Sequence, residues 1–558
     1  MRIHGDDAQS RTVEELRVFT ARGIHTMEPG SPTASAVAVS GDRIVEAGSL
    51  ETLRPWLDTH PHEIDTTFAD MWLMPGFIDP HVHPFLAATT LTNDIAAPDA
   101  WKLPDSDYPA VLTPEDHRAR LAELHAAWAD PAKVQVVWGY QPFWHGKLTR
   151  SNLDEIADSP LVVLHRSVHE AILNSAALDL FDFSDAELAA VDGYFDLDAG
   201  HFFEAAMMQL VAKRLPEHVD LQQLPLGLDM FCTLATRGGV TTAADVFAGG
   251  IAGIDAEWEL ARTHLGGDDA GLRTLFVAAP LQWMLTHGDK TFDVLEARRR
   301  ESTDKLLWPK AVKTFFDGAF ISQLFCTCFP GYIDGHKGQW IAPPEFAQPV
   351  LEPYWEAGYD IYCHVNGDEG IDRALDLLDE LQSSCPRRDF RFSLEHFGIS
   401  REDQVTRIAE LGASVSINGY YLNLFGDKYA EVGLGYERTS QMTRLGSLAR
   451  NDVPFTMHSD LPMGPLEPLR AVSTAVTRRT SSGQVLGPDQ AVSLDAALRA
   501  VTIDAAWSWR LDRDLGSIAP GKIADFAVLS EDPCAVASED IGDIEIWGTV
   551  FEGTPHEA

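Results

Sequence analysis

Hydrophobic residues in the middle of the chain gather into short, strand-length runs separated by helical stretches. Such runs occupy 77–83, 239–245, 273–278, 311–318, 359–365, 391–397, 413–418 and 454–460. Strands that alternate with helices predict a parallel sheet, and eight such units predict a closed (β/α)8 barrel of the TIM type, so the fold class is α/β. One interval breaks the rhythm. Residues 91–230 are too long for a single strand-to-helix connection and carry strand-like runs of their own at 134–138 and 161–165, so they read as an insertion after the first barrel strand. The chain ends differ again. Residues 16–48 alternate short β-runs with Gly-Asp turns, and 523–529 and 544–547 form two more strands among Gly516, Gly521, Gly542, Gly548 and Gly553. Together they predict a small composite β-sandwich domain made of 1–73 and 507–558, flanking a barrel that spans 74–506.

Composition narrows the partners. Over 558 residues, 84 Asp+Glu against 43 Lys+Arg give a formal charge of -41, which disfavours nucleic acid and anionic membrane and leaves a small molecule as the expected ligand. No apolar run is long enough to span a bilayer. The N-terminal MRIHGDDAQSRTVEEL has no apolar segment after its charges, so a cytoplasmic protein is expected. Six scattered cysteines make no disulfide framework, and the Cys326–Cys328 pair has no second pair near it to complete a structural zinc site.

Candidate chemistry begins in Met74-Pro75-Gly76-Phe77-Ile78-Asp79-Pro80-His81-Val82-His83. Two histidines two apart on a strand point to one side, so at the end of an inward-facing strand both imidazoles reach one metal ion. Such a pair is a weak signal alone among 20 histidines. Other strand ends strengthen it with Lys313 and Asp317, His364, His396 and Asp460, at the end of a barrel where catalytic groups collect. Asp317 shares the face of Lys313 if the strand runs on, and a capping role at the following turn stands beside a catalytic one. Glu395, next to His396, is expected to point away from the site.

These residues resemble the amidohydrolase superfamily and, within it, the branch of N-substituted formamide deformylases (the amidohydrolase 3 type). The resemblance runs through PGFIDPHVHP, Asn174-Ser175-Ala176-Ala177-Leu178, KTFFDG, HVNGD, LEH, HSDLP and the closing GSIAPGKIADFAVL. It implies that His81, His83, Lys313, His364, His396 and Asp460 bind one or two divalent ions, with zinc the expected metal. It also implies that Lys313 can be carboxylated to bridge two ions, with a plain structural lysine or a contact to a substrate carboxylate as the alternatives, and that Asp460 is catalytic. The chemistry is consistent: zinc accepts imidazole and carboxylate and lowers the pKa of bound water to about 7. A carbamate on Lys313 turns a repelling cation into an anionic ligand, and Asp460 serves as general base and then acid. His458 stands where the family usually has a small residue, and either supports the site, touches substrate or is a core histidine. His458, Trp144, His169 and Tyr420 are the candidate substrate contacts; His145, Glu170, Glu204, Tyr421 and Trp340 are weaker ones, and a core or surface role stands against each. The resulting expectation is hydrolysis of a C–N bond in an amide, formamide or cyclic amide. Deamination of an amino-substituted heterocycle and a silent binding barrel are the alternatives, and a homodimer is left open.

Overall fold

The computed structural model describes residues 15–218, 223–342 and 344–558. Residues 1–14, assigned above to the terminal β domain, residues 219–222 of the insertion and residue 343 of the barrel span lie outside the described residues.

The barrel strands are Phe77–Val82, Val240–Ala248, Arg273–Ala278, Ala311–Phe315, Asp360–Val365, Phe392–His396, Ser414–Asn418 and Phe455–His458, each paired in parallel with the next. No ladder joins the first strand to the eighth. That seam is held instead at its site end: the Asp460 N–H donates to the His81 carbonyl and the His83 N–H to the Leu461 carbonyl, both at 3.0 Å. The Asp79 carboxylate adds a third link, accepting the Ser459 N–H at 3.0 Å.

The end of the barrel away from the site is filled. Ile78, Ala244, Leu275, Val277 and Tyr362 pack with Ala505, Ala506, Trp509, Leu511 and Leu515 in one buried cluster, with Tyr362 stacked on Trp509 at 4.1 Å. The boundary drawn at 507 therefore falls inside a segment that plugs the barrel. Beyond it the two chain ends share an eight-stranded sheet, in the order Thr554–Glu557, Ile546–Phe551, Phe526–Leu529, Trp72–Pro75, Leu16–His25, Thr33–Ser40 and Arg43–Gly48, with His62–Asp65 also paired to Leu16–His25. Phe19, Ile24, Val37, Phe68, Phe526, Val528 and Val550 form its core.

The insertion carries a six-stranded sheet, ordered Phe195–Asp196, His201–Phe203, Glu170–Leu173, Leu161–His165, Gln135–Tyr140 and Asp94–Ile95. Polar groups that are costly to bury fix it to the barrel. Arg166, fully buried, donates to the Pro462 carbonyl at 2.8 Å and to Asp99 at 2.7 and 3.1 Å, with its guanidinium over the rings of Trp101 and Trp138. Gln141 Nε2 donates to the Ile321 carbonyl at 2.7 Å. The insertion is thus bonded to the loops that follow the fourth and eighth strands, at the site end.

Candidate metal centre

The strand ends bring most of the expected ligand residues together. His81 is buried, its Nδ1 2.6 Å from Glu395 Oε2 and its Nε2 3.5 Å from Asp460 Oδ1 and 3.4 Å from Lys313 Nζ. His83 Nε2 lies 3.1 Å from the same Asp460 oxygen. The Asp460 Oδ2 faces His396 Nδ1 at 3.7 Å. The His364 ring stands 4.5 Å from that of His396, and Asn366 Nδ2 lies 3.1 Å from His364 Nε2.

Glu395 corrects a reading made from strand alternation. His396 has φ +75° and Phe397 φ +47°, so the chain leaves the extended conformation at the strand end and both Glu395 and His396 turn into the barrel. Glu395 is the group that orients His81, accepting from its Nδ1–H and leaving the Nε2 lone pair free. His396 is held in the same way by His458, whose Nε2 lies 3.1 Å from His396 Nδ1 and whose Nδ1 lies 2.7 Å from Ser416 Oγ. Only one chain of tautomers frees the outer nitrogen of His396: Nδ1–H donates to His458, and His458 Nδ1–H donates to Ser416. Asp317 takes the holding role rather than the catalytic one, accepting the N–H groups of Asn366, Gly367 and Cys326 at 2.9, 2.8 and 3.0 Å and so fixing the loop after His364.

Burial sets the charge states. It drives the imidazoles of His81, His364, His396 and His458 well below their usual range, with the Lys313 charge acting in the same direction on each, so all four rings are held neutral. Burial also brings the Lys313 amine down to about 8 against the pull of Glu395 and Asp460, and lifts Glu395 to about 7. Asp317 is likewise lifted to about 7 by burial.

A cavity of about 50 Å³ opens onto this cluster. His81, His83, His169, His364, His396 and Asp460 form its polar side, and Phe315, Phe320, Ile321, Tyr421 and Met463 its apolar walls. His169 thus reaches the cavity from the insertion, its Nδ1 2.9 Å from Glu204 Oε2. Burial opposes charge on His169, but the Glu204 carboxylate outweighs it and the imidazole titrates above its usual range.

Two candidate contacts lie elsewhere. Tyr420 sits behind the eighth strand with Asp79 and Met457, its hydroxyl donating to Glu467 at 3.1 Å, and its neighbour Tyr421 faces the cavity instead. Trp144 packs on Phe143 and Phe425 with Lys428 over its ring, away from the cavity lining. His145 is a core residue stacked on His117 at 4.0 Å, and Trp340 is bridged to Asp317 outside the cavity. Glu170 pairs with His201 at 2.7 Å in the insertion. His458 lies beneath the cavity rather than on its wall, within the ligand cluster.

Two donor sets lie close enough for a cation: the ligand atoms of His81, His83 and Asp460, and those of His81, His396 and His458, each fall within 4.8 Å of one another. Both nitrogens of His458 are engaged by His396 and Ser416, so His458 serves the second set as a support and not as a ligand. His83 Nδ1 and His396 Nε2 are buried without a hydrogen-bond partner among the described residues, as imidazole nitrogens reserved for another group would be.

Known proteins resemble this chain along nearly its whole length. The N-substituted formamide deformylase of Arthrobacter pascens is 25% identical over 565 residues, covering 97% of this chain and 98% of the relative. The Arabidopsis thaliana protein LONG AFTER FAR-RED 3 is 25% identical over 537 residues, 93% of this chain and 88% of the relative. The crystal structure of an uncharacterized metal-dependent hydrolase from Pyrococcus horikoshii OT3 shares the fold with a TM-score of 0.71 at 20% identity, over 94% of this chain and 99% of that one. The model of the amidohydrolase family matches residues 69–555. With a match that takes in the barrel, the insertion, three of the eight strands of the terminal sheet and the start of a fourth, the chain belongs to the amidohydrolase family.

Proposed function

We propose that the protein is a metal-dependent hydrolase of a carbon–nitrogen bond in an amide, formamide or cyclic amide. The observation that carries the reading is the convergence of His81, His83, His396 and Asp460 on one small cavity, with the outer nitrogens of His81 and His396 freed by Glu395 and His458. Imidazole and carboxylate donors suit zinc, with His81, His83 and Asp460 on one side and His364 and His396 on the other. Lys313, its Nζ 3.4 Å from His81 Nε2, would join the residues that hold the metal once carboxylated, and its lowered pKa favours the free amine that reacts with carbon dioxide. A bound divalent ion would polarise the substrate carbonyl and acidify a water molecule.

The chain's own groups do the rest. Asp460 accepts the proton released as water adds to the carbonyl carbon. Phe315, Phe320, Ile321, Tyr421 and Met463 keep bulk water from the reacting centre and strengthen each electrostatic contact there. The relationship to the Arthrobacter pascens deformylase, at 25% identity, supports the C–N bond as the target.

The test is metal analysis of the purified protein, followed by a panel of amides and formamides with product identification. Asp460→Asn should lower turnover by at least about a hundredfold with metal content retained. Absence of tightly held metal, or full activity in Asp460→Asn, sinks the reading; release of ammonia from ring amines would replace it with deamination.

A further inference from the structure

His169 stands on the cavity wall outside both donor sets and outside the residues expected to hold metal. His169 comes from the insertion, and it is joined to Glu204 twice: Nδ1 lies 2.9 Å from Glu204 Oε2, and the Glu204 N–H donates to the His169 carbonyl at 2.8 Å. Glu204 is buried, and its other oxygen, Oε1, has no hydrogen-bond partner among the described residues. Leaving such an oxygen unmatched costs free energy. The backbone carries strain on both sides of the contact, since Val168 has φ +61° and Glu204 φ +43°, and a β-branched residue is rarely found there. Strain that brackets one side-chain contact at a cavity wall marks a positioned functional group. The position is also braced. The His169 N–H donates to Ser167 Oγ at 3.1 Å, Ser167 Oγ lies 2.7 Å from Ser322 Oγ, and the imidazole stacks over His364 with ring centres 6.2 Å apart.

We propose that His169 is a catalytic residue, the proton donor to the leaving nitrogen, with Glu204 as the positioning residue that fixes its tautomer. This rests on the C–N hydrolase reading above. Glu204 accepts from Nδ1–H, so Nε2 is the nitrogen left to exchange a proton with a bound molecule. The resemblance gives both proton steps to Asp460; this division leaves Asp460 the proton of water, among His83 at 3.1 Å, His81 at 3.5 Å and His396 at 3.7 Å, and gives the second step to His169. His169 sits on the insertion, which is bonded to the loops around the cavity.

The protons balance. Water bonds through oxygen to the carbonyl carbon and gives one proton to Asp460. As the C–N bond breaks, its electron pair goes to nitrogen, which takes the Nε2 proton of His169 and leaves as a neutral amine. The carboxylic acid formed ionises, and one of the two protons that came from water recharges His169 through solvent.

The experiment uses the zinc-loaded protein and one acyl group joined to a series of amines, from electron-poor anilines to alkylamines. In His169→Gln, kcat/KM should fall about 10²–10⁴-fold for alkylamine leaving groups and far less for the electron-poor anilines, with metal content unchanged. Glu204→Gln should show the same slope to a smaller degree. An equal loss across the series, no loss, or loss of metal overturns the proposal. A wild type that cleaves none of the series refutes the hydrolase reading instead. The dyad is then judged by proton NMR: a downfield Nδ1–H signal of His169 that vanishes in Glu204→Gln upholds it, and its absence in the wild type overturns it.

Discussion

Glu395→Ala probes the site without touching a ligand. Glu395 is buried, holds His81 Nδ1 at 2.6 Å, and is held in turn by Ser393 Oγ at 2.5 Å. Removing the carboxylate leaves His81 free to turn and to carry its proton on Nε2, the nitrogen facing Asp460 and Lys313. Loss of such an orienting carboxylate weakens metal binding about 10- to 100-fold, which corresponds to roughly 1.4–2.8 kcal/mol. Glu395→Gln keeps an acceptor for Nδ1–H but loses its charge, and charged hydrogen bonds are about twice as strong as neutral ones. Its effect should therefore be about half as large on the logarithmic scale, roughly three- to tenfold. The assay is zinc affinity by competition with a chelator of known affinity, with circular dichroism to confirm folding. Unchanged affinity in Glu395→Ala, or a larger loss in Glu395→Gln than in Glu395→Ala, would refute the orienting role.

Three other outcomes follow from the same geometry. Lys313→Ala should lose at least one equivalent of metal and most activity, and a short carboxylate such as acetate should restore part of it by filling the space of the carbamate; retained metal content removes Lys313 from the ligand set. Arg166→Met leaves Asp99 without its guanidinium and the Pro462 carbonyl without its donor, so stability should drop by roughly 3 kcal/mol, seen as a lower Tm and faster proteolysis within the insertion; an unchanged Tm rejects the docking argument. Burial holds His145 at about 4, against 6.5 for an exposed imidazole. The unfolded chain therefore binds a proton that the folded one refuses between these values. Stability present above pH 6.5 is lost as pH falls toward 4, by up to about 1.4 kcal/mol per pH unit, and denaturant titrations should show a shallower slope in His145→Gln, an equal slope counting against it.

The barrel was legible because its strands are near-continuous apolar runs that end in polar residues, as buried parallel strands must. His81 and His83 were legible for the same geometric reason, two residues apart on a strand whose face is fixed by burial. Where the backbone leaves that regularity, the reading fails. The left-handed φ of His396 puts Glu395 and His396 on the same side, which a period of two cannot express. Tyr420 and Tyr421 follow the seventh strand directly, and the irregular helical turn at Tyr421–Phe425 decides which ring faces the cavity. Trp144 lies in the short helix Pro142–His145, whose direction depends on contacts with Phe425 and Lys428 far along the chain. The Glu204–His169 contact needs the strand pairing that sets Glu170 opposite Phe203, a register that no local pattern announces.

The unladdered seam between the first and eighth strands has a consequence for how the molecule comes into being. Its links run from Asp79, His81 and His83 to Ser459, Asp460 and Leu461, and the Asp79–Ser459 bond spans 380 residues of sequence. The ribosome must deliver the chain through Leu461 before the cylinder can shut, and the residues that shut it are the neighbours and backbones of the donors themselves. Assembly of the site and closure of the cylinder are therefore a single late event. A slip of one residue along that seam would turn the His81 and Asp460 side chains apart, so the donor set works as a registration pin for the fold as well as the seat of its chemistry.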